Sequence, residues 1–540
     1  MNLYIFSIFY VFCLTKVFAR SFTVDYENNT FLKDGKPFRY ISGTLHYFQV
    51  PSEFWYDRMY KMKMAGLNAI QTYVEWNHHE PEPGLLVIFR AGPYIDAERD
   101  MGGLPYWLLR EYPNMNLRTF DPNYIKYVDK WYNVLLPIIE LFYTTMEIEN
   151  EYGFFGCDGQ YKYHLRNLVN KALKRNVVLF TTDVPLDNLL ACGKVDEALS
   201  TVDFGSGVNV THNFDVLRWT QTYGPLVNSE FYTGWMDHWG KPHSTVSTDA
   251  IVKTLIEILK ANASVNIYPF HGGTNFGFTV GANLDSTFQS IITSYDFDAP
   301  LNEAGDPTSK YYAIRDAIGK FNPLPPGPLP QPSPKMKLPP IVMKRLCHYG
   351  IFISKNNNSV FSTYPLSFED LSHPFGFVLY KATVTFQPTD PVVLTVKDIA
   401  DRAYVFFVNK KLESIPVRVL KGEDIEILVE NQGRVCFGAI RDRKGILQNV
   451  TLDRTNIYDS FLRLDGWHKG VAFLNNFNLG RYWPIMGPQV TLYAPKILFK
   501  KSPAVNHIIM FELQNSPCSD FGTCAIQFVD IHVINGTTPQ

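Results

Sequence analysis

Residues 144–153, TTMEIENEYG, and residues 225–235, PLVNSEFYTGW, each read as a short β-strand that ends near a glutamate. Outward from them, between Phe38 and about Phe270, short β-rich runs alternate with helical stretches, the signature of βα units around a parallel sheet. Eight strands are expected: Arg39–Leu45, Ala69–Val74, Leu85–Arg90, Thr145–Glu149, Val177–Thr182, Thr201–Phe204, Leu226–Phe231 and Val265–Phe270. Eight closes a (β/α)8 TIM barrel, and the two quoted runs are its fourth and seventh strands. Asn123–Phe142, Gln160–Lys174 and Thr248–Asn262 supply helices of the outer ring. Chemistry in such barrels sits where strand C-termini and their loops gather, so carboxylates at those ends matter most.

A last helix near Ser309–Phe321 precedes NPLPPGPLPQPSPKMKLPP, whose nine prolines between Pro323 and Pro340 can continue neither a helix nor a central strand. The segment is a stiff linker or a wrapping arm. Beyond it short alternating strands begin, among them FGFVLYKATVTF, PVVLTVKDI, DRAYVFFV and DIEILVEN. The fold class expected is therefore α/β, with a barrel over 20–322, a linker over 323–340 and all-β sandwich domains over 341–455 and 456–540.

Composition narrows the function. Lys plus Arg number 50 against 52 Asp plus Glu, so no broad field holds a polyanion, and nucleic acid is not an expected partner. The first nineteen residues are almost wholly apolar and end in Val17-Phe18-Ala19, which reads as a cleaved signal peptide. No later run of 18 apolar residues predicts a membrane span in the mature chain. Sequons at Asn28, Asn209, Asn262, Asn357, Asn449 and Asn535 fit the same secretory route. Cys518 and Cys524 are close enough to staple one loop. No CxxC or HExxH spacing occurs, so neither a catalytic metal nor another cofactor is expected.

In TTMEIENEYG a period of two places Glu147, Glu149 and Glu151 on one side if the strand stays extended. Three carboxylates share a barrel wall only at high cost, so Glu151 is expected just past the strand end, in the mouth, where a raised pKa suits a general acid. Glu230 near the end of PLVNSEFYTGW is its counterpart across the mouth. Two carboxyls about 5 to 5.5 Å apart perform a double displacement, one attacking the anomeric carbon while the other protonates the departing oxygen. Taken singly, either glutamate is more often a structural ion pair or a loop hydrogen bond.

Their joint context decides. IQTYVEWNHHEP (70–81), GPYIDAE (92–98), GGLPYWLL (102–109), IENEYG (148–153), NSEFYTGWMDHWG (228–240), SVNIYPFHGGTNF (264–276) and SYDFDAPLNEAG (294–305) resemble the family-35 glycoside hydrolases of the acid β-galactosidase type. GWHKGVAFLNNFNLGRYWP (466–484) resembles the C-terminal β-domain of that family, so the likeness runs from about residue 22 to 530. The resemblance implies retaining hydrolysis of terminal non-reducing β-D-galactosyl residues from glycans, glycolipids or oligosaccharides, with Glu151 as proton donor and Glu230 as nucleophile. It further implies Tyr73, Glu98 and Asn150 as galactose ligands and Trp235, Tyr268 and Tyr295 as an aromatic wall. Cys157–Cys192 and Cys518–Cys524 fit the family's disulfides, and a lysosomal, vacuolar or extracellular location follows from the same likeness. Self-association is left open.

The chain also departs from the pattern. Only WNHHEPEPG (76–84) separates the second and third strands, where a parallel crossover needs a dozen or more residues and usually a helix. Family members carry a helix-length insertion here, so Gly84-Leu85 looks like the scar of a skipped segment. Asp96 and Arg99 stand where the family has Cys and Trp, and Phe297 where it has Tyr. An alternative reading is thus a galactose-binding protein of the same family whose turnover is impaired.

Overall fold

The computed structural model describes residues 21–79, 92–139, 145–173, 177–341, 359–388, 392–405, 414–453, 459–500, 505–519 and 524–536. Seven strands form one wholly parallel sheet: β1 (Ile41–Thr44), β2 (Ala69–Gln71), β3 (Thr145–Asn150), β4 (Val178–Asp183), β5 (Leu199–Asp203), β6 (Val227–Tyr232) and β7 (Ser264–Tyr268). Their order is β2-β1-β7-β6-β5-β4-β3, so the sheet runs around a barrel and its two edges are β2 and β3. The expected third strand, Leu85–Arg90, lies outside the described residues, as does the expected signal peptide.

Burial follows the sequence pattern. β5 and β7 are buried at every position, as expected of strands with barrel core on one face and helices on the other. Helix Thr248–Lys260 buries Ile251, Leu255, Ile258 and Leu259, one stripe at helical spacing, against the apolar residues of β1, β5, β6 and β7. Helix Pro122–Ile139 sets Val128, Trp131 and Leu135 against Met146 and Ile148 of β3. Helices Trp55–Met64, Asp187–Gly193 and Val210–Thr220 complete the connections that the sequence reading left unassigned. A small antiparallel meander, Phe22–Asp25, Thr30–Lys33 and Lys36–Phe38, lays Phe22 and Phe31 against Val178, Leu199 and Val227. It thereby plugs the N-terminal end of the barrel and leaves the C-terminal end for chemistry.

The proline-rich segment is a wrapping arm. Residues 323–341 form neither helix nor strand, and they are tied to the barrel: Tyr312 donates to the carbonyl of Pro330 at 3.0 Å, and Asp306 accepts from Ser333 N at 2.8 Å and Lys335 Nζ at 2.6 Å.

The chain divides into two units. The barrel unit also takes in residues 366–376 and 431–444. There Arg434 is buried and ion-paired with Asp100 at 3.1 Å and with Glu369 at 2.6 Å. The second unit consists of antiparallel sheets, such as Ser414–Val417, Val392–Val396 and Val450–Asp453, or Phe477–Tyr482, Gly470–Leu474 and Ile508–Glu512. Cys157–Cys192 and Cys518–Cys524 are disulfide-bonded, and Cys436 is free and buried. Among the described residues no helix is long and apolar enough to cross a membrane.

Candidate active site

The strand that carries Glu147, Glu149 and Glu151 does not stay extended. Thr145, Met146 and Glu147 pair with Val178, Leu179 and Phe180, but Asn150 pairs with Thr182, so β3 holds one residue more than β4 over that stretch. This bulge turns Glu149 to the helix side together with Ile148. There Glu149 meets Arg118, with Oε2 to Nη2 at 2.9 Å and Oε1 to Nε at 3.2 Å, and accepts from Tyr161 OH at 2.8 Å. The same guanidinium donates to the carbonyl of Asn150 at 2.6 Å and so fixes the end of the strand. Breaking such a buried pair on one side costs about 3–5 kcal/mol. Glu149 is thereby a structural carboxylate.

Glu151 follows at φ 43° and ψ 45°, a left-handed residue that ends the strand and opens the short helix Tyr152–Phe155. Its amide still donates to the carbonyl of Thr182 at 3.0 Å, and Asp183 accepts from Gly153 N at 2.7 Å, so the reversal is pinned from β4. β6 carries a second bulge, read against both neighbours: Asn228 and Glu230 pair with the consecutive residues Val202 and Asp203, and Asn228 and Phe231 with Val265 and Ile267. Both proposed catalytic glutamates thus sit at or just past an extra residue at the barrel rim, where such residues re-aim side chains.

Glu230 is 6% exposed. Its Oε1 accepts from Tyr73 OH at 2.6 Å, and its Oε2 lies 3.3 Å from Tyr232 OH. Tyr232 OH donates to the nearer Asp203 Oδ2 at 2.7 Å. Tyr73, Tyr268, Tyr295 and Phe297 pack into one cluster; Tyr295 and Tyr268 both donate to Glu98, the latter at 3.4 Å. Trp235 stands 45% exposed at the edge of this cluster, 5.2 Å from the Tyr232 ring. Asn150 is buried, and among the described residues its Oδ1 has no hydrogen-bond partner. The chain therefore brings Tyr73, Glu98, Asn150, Glu151, Glu230, Tyr268 and Tyr295 together, with Trp235 at the rim.

Burial drives both central carboxyls well above the usual range, and their surroundings then separate them. Glu151 faces the carboxyls of Asp203 and Glu230, which oppose its ionisation further. Glu230 also feels Asp203 and Glu147, but the Tyr73 hydroxyl favours its carboxylate. Of the two, Glu151 is the one whose surroundings hold the proton.

Sequence reasoning missed two members of this site. Asp203 is a carboxylate at a strand end, so the rule that singled out Glu151 and Glu230 applied to it as well. Asp96 is half-buried against the Cys436 thiol and Arg118; desolvation pushes its pKa up to about 7, with Arg118 and the thiol pulling the other way. Burial and the neighbouring Asp96 push Glu98 up to about 8. Asp96, Ala97 and Glu98 are all left-handed, at φ 52°, 49° and 51°. Such residues cost roughly 1–2 kcal/mol each, and here they buy the placement of two carboxyls.

These shifts set a pH dependence. A carboxyl whose pKa rises on folding binds its proton more tightly in the native state, so its stabilisation is complete below the unfolded value and is lost as pH rises through the folded one. With Glu98 moving from 4.5 to about 8 and Asp96 from 3.8 to about 7, melting temperature is expected to fall between pH 5 and 8. Calorimetry across that range checks it, and in Asp96→Asn the slope is expected to flatten.

A parallel barrel whose mouth sets one carboxyl surrounded by other acids against another bound by a tyrosine hydroxyl, beside a wall of tyrosines, has the arrangement of a glycosidase. The chain belongs to family 35 of the glycosyl hydrolases, whose sequence pattern it matches over residues 30–85 and 82–321. "Beta-galactosidase, first all-beta domain" matches 365–462, and "Beta-galactosidase, galactose-binding domain" matches 448–504. The chain is 41% identical to a canine protein named Beta-galactosidase, with 95% of this chain and 92% of that one covered. It is 42% identical to a mouse Beta-galactosidase-1-like protein (97% and 94% covered) and 41% identical to a human Beta-galactosidase (96% and 91%). These alignments run over 616 to 628 positions, more than the 540 residues of this chain, so the relatives carry internal segments that it lacks. The two barrel matches meet at Gly84-Leu85, the place where the crossover is short.

Proposed function

We propose that this glycosidase removes terminal non-reducing β-galactosyl residues with net retention. The observation that carries the reading is the unequal pair, Glu151 facing carboxyls and Glu230 receiving Tyr73 OH at 2.6 Å, at the mouth of one barrel. In the first step a Glu230 oxygen bonds to the anomeric carbon, the bond to the aglycone oxygen breaks, and the Glu151 proton passes to that oxygen. In the second step a water oxygen attacks the same carbon, Glu151 takes the water proton, and the Glu230–sugar bond breaks. Asn150 Oδ1, buried and without a partner among the described residues, and Glu98 supply hydrogen bonds to sugar hydroxyls, and Trp235 offers a face to the apolar side of the ring. The relatives' printed names support galactose as the sugar. Passage through the secretory route, to a lysosome or the cell exterior, is supported by the two disulfides and the sequons.

Two measurements test this. Proton NMR of the first-formed product is expected to show β-galactose; α-galactose first would overturn retention. Glu151→Gln should slow alkyl galactosides by about 10²–10⁴-fold while sparing the first step on activated phenyl galactosides, which need no proton. Equal losses on both would remove Glu151 as the acid.

A further inference from the structure

Asp203 ends β5, which lies between β4 and β6, and is 1% exposed. Its carboxyl is in hydrogen-bond contact with that of Glu151, and its Oδ2 accepts from Tyr232 OH at 2.7 Å. The groups facing it are Glu151 from the end of β3, Asp183 from β4, and Glu230 and Tyr232 from β6. Among the described residues no lysine or arginine pairs with Asp203; Lys162 acts on Asp183, one strand away. The backbone N–H of Asp203 itself also reaches the carboxyl, and among the described residues the buried Oδ1 accepts from no other residue's N–H or hydroxyl apart from the Glu151 carboxyl.

Two carboxyls in contact, Asp203 buried and Glu151 half-buried, with no cation to neutralise either, do not both ionise. They hold one proton between them. Its position follows from the donors: the Tyr232 hydroxyl points at Asp203 and stabilises a carboxylate there, so the proton rests on Glu151. We propose that Asp203 is a positioning residue for the acid, a fixed carboxylate that parks the Glu151 proton until the glycosidic oxygen arrives. When the proton leaves with the aglycone, two carboxylates face each other. Their repulsion makes Glu151 the stronger base for the water proton in the second step, and taking that proton restores the pair. The inference rests on the proposed role of Glu151.

Asp203→Asn tests it through a pH profile. The amide carries no charge and can donate to Glu151, so the proton is released earlier. The basic limb of kcat/KM for an alkyl galactoside is expected to move down by about one pH unit or more. An activated 2-fluoro galactoside, which needs no proton, should still label Glu230 to completion and so report a folded site. Asp203→Ser carries the same expectation and is read instead if the Asn variant does not label. A basic limb that stays in place in a variant that labels overturns the proposal. The leaving-group comparison on Glu151→Gln separates the two readings. If that comparison shows the split and the Asp203 limb does not move, only the role of Asp203 falls; if the split is absent, the acid assignment falls first.

Discussion

Glu230→Gln is expected to abolish turnover of every β-galactoside, with a loss on the order of 10⁴-fold or more in kcat, because an amide does not form the bond to the anomeric carbon that the first step requires. Two features make the effect specific. The Tyr73 hydroxyl points at Glu230 whether it carries a carboxylate or an amide oxygen, so the variant keeps that neighbour. Glu230 is also buried with burial raising its pKa, so removing the ionisable group is not expected to lower stability. The direct measurement is mass spectrometry of the unmutated chain after reaction with a 2-fluoro galactoside. The sugar should be found on the peptide containing Glu230, and its discovery on any other carboxylate would end the assignment.

Restoring a helix-length segment between Gly84 and Leu85 is expected to raise both stability and turnover. In a parallel barrel every strand has a helix over its outer face, yet Ile70 in the middle of β2 is 46% exposed. Helix Trp55–Met64, next in the outer ring to the place an inserted helix would take, leaves Tyr56 78% and Tyr60 40% exposed. Covering one such side chain stabilises by about 1.5–3 kcal/mol, which in a barrel of this size is worth several degrees of melting temperature. Turnover is coupled to the same place. Tyr73, which holds Glu230, comes two residues after β2, and Glu98 follows the short connection. A displacement of about 1 Å in groups of this kind costs on the order of a hundredfold in rate, and that is the gain expected on galactosides. If the unmodified chain already equals the extended one in melting and in hydrolysis, the third strand is reached by another route and the crossover is sufficient as it stands.

Much of this was legible from residue order. Apolar runs of strand length alternating with helical stripes gave six of the strands to within two residues at each end, and a seventh, Ala69–Val74, that stops three residues early at Gln71. Helix Ser309–Gly319 ends at its glycine, two residues short of the expected Phe321. The choice among Glu147, Glu149 and Glu151 rested on the cost of clustering charge. The structure gives a different reason, a bulge that sends Glu149 to Arg118. A bulge is one extra residue in a pairing, and pairing cannot be read from one strand alone. The contact of Asp96 with Cys436 was illegible for another reason: 340 positions separate them, and only the return of residues 431–444 to the barrel unit brings the thiol there.

That return has a practical consequence for dividing the protein. The proline-rich arm looks like the natural place to cut, yet a fragment ending at residue 341 would keep Asp100 and lose Arg434, the cation that neutralises it. It would also open the wall behind Asp96 to water, since Cys436 and the carbonyl that Tyr94 OH reaches at 2.7 Å would go with the discarded part. The catalytic barrel of this chain is not a detachable module, and an inactive barrel fragment would say nothing about its glutamates.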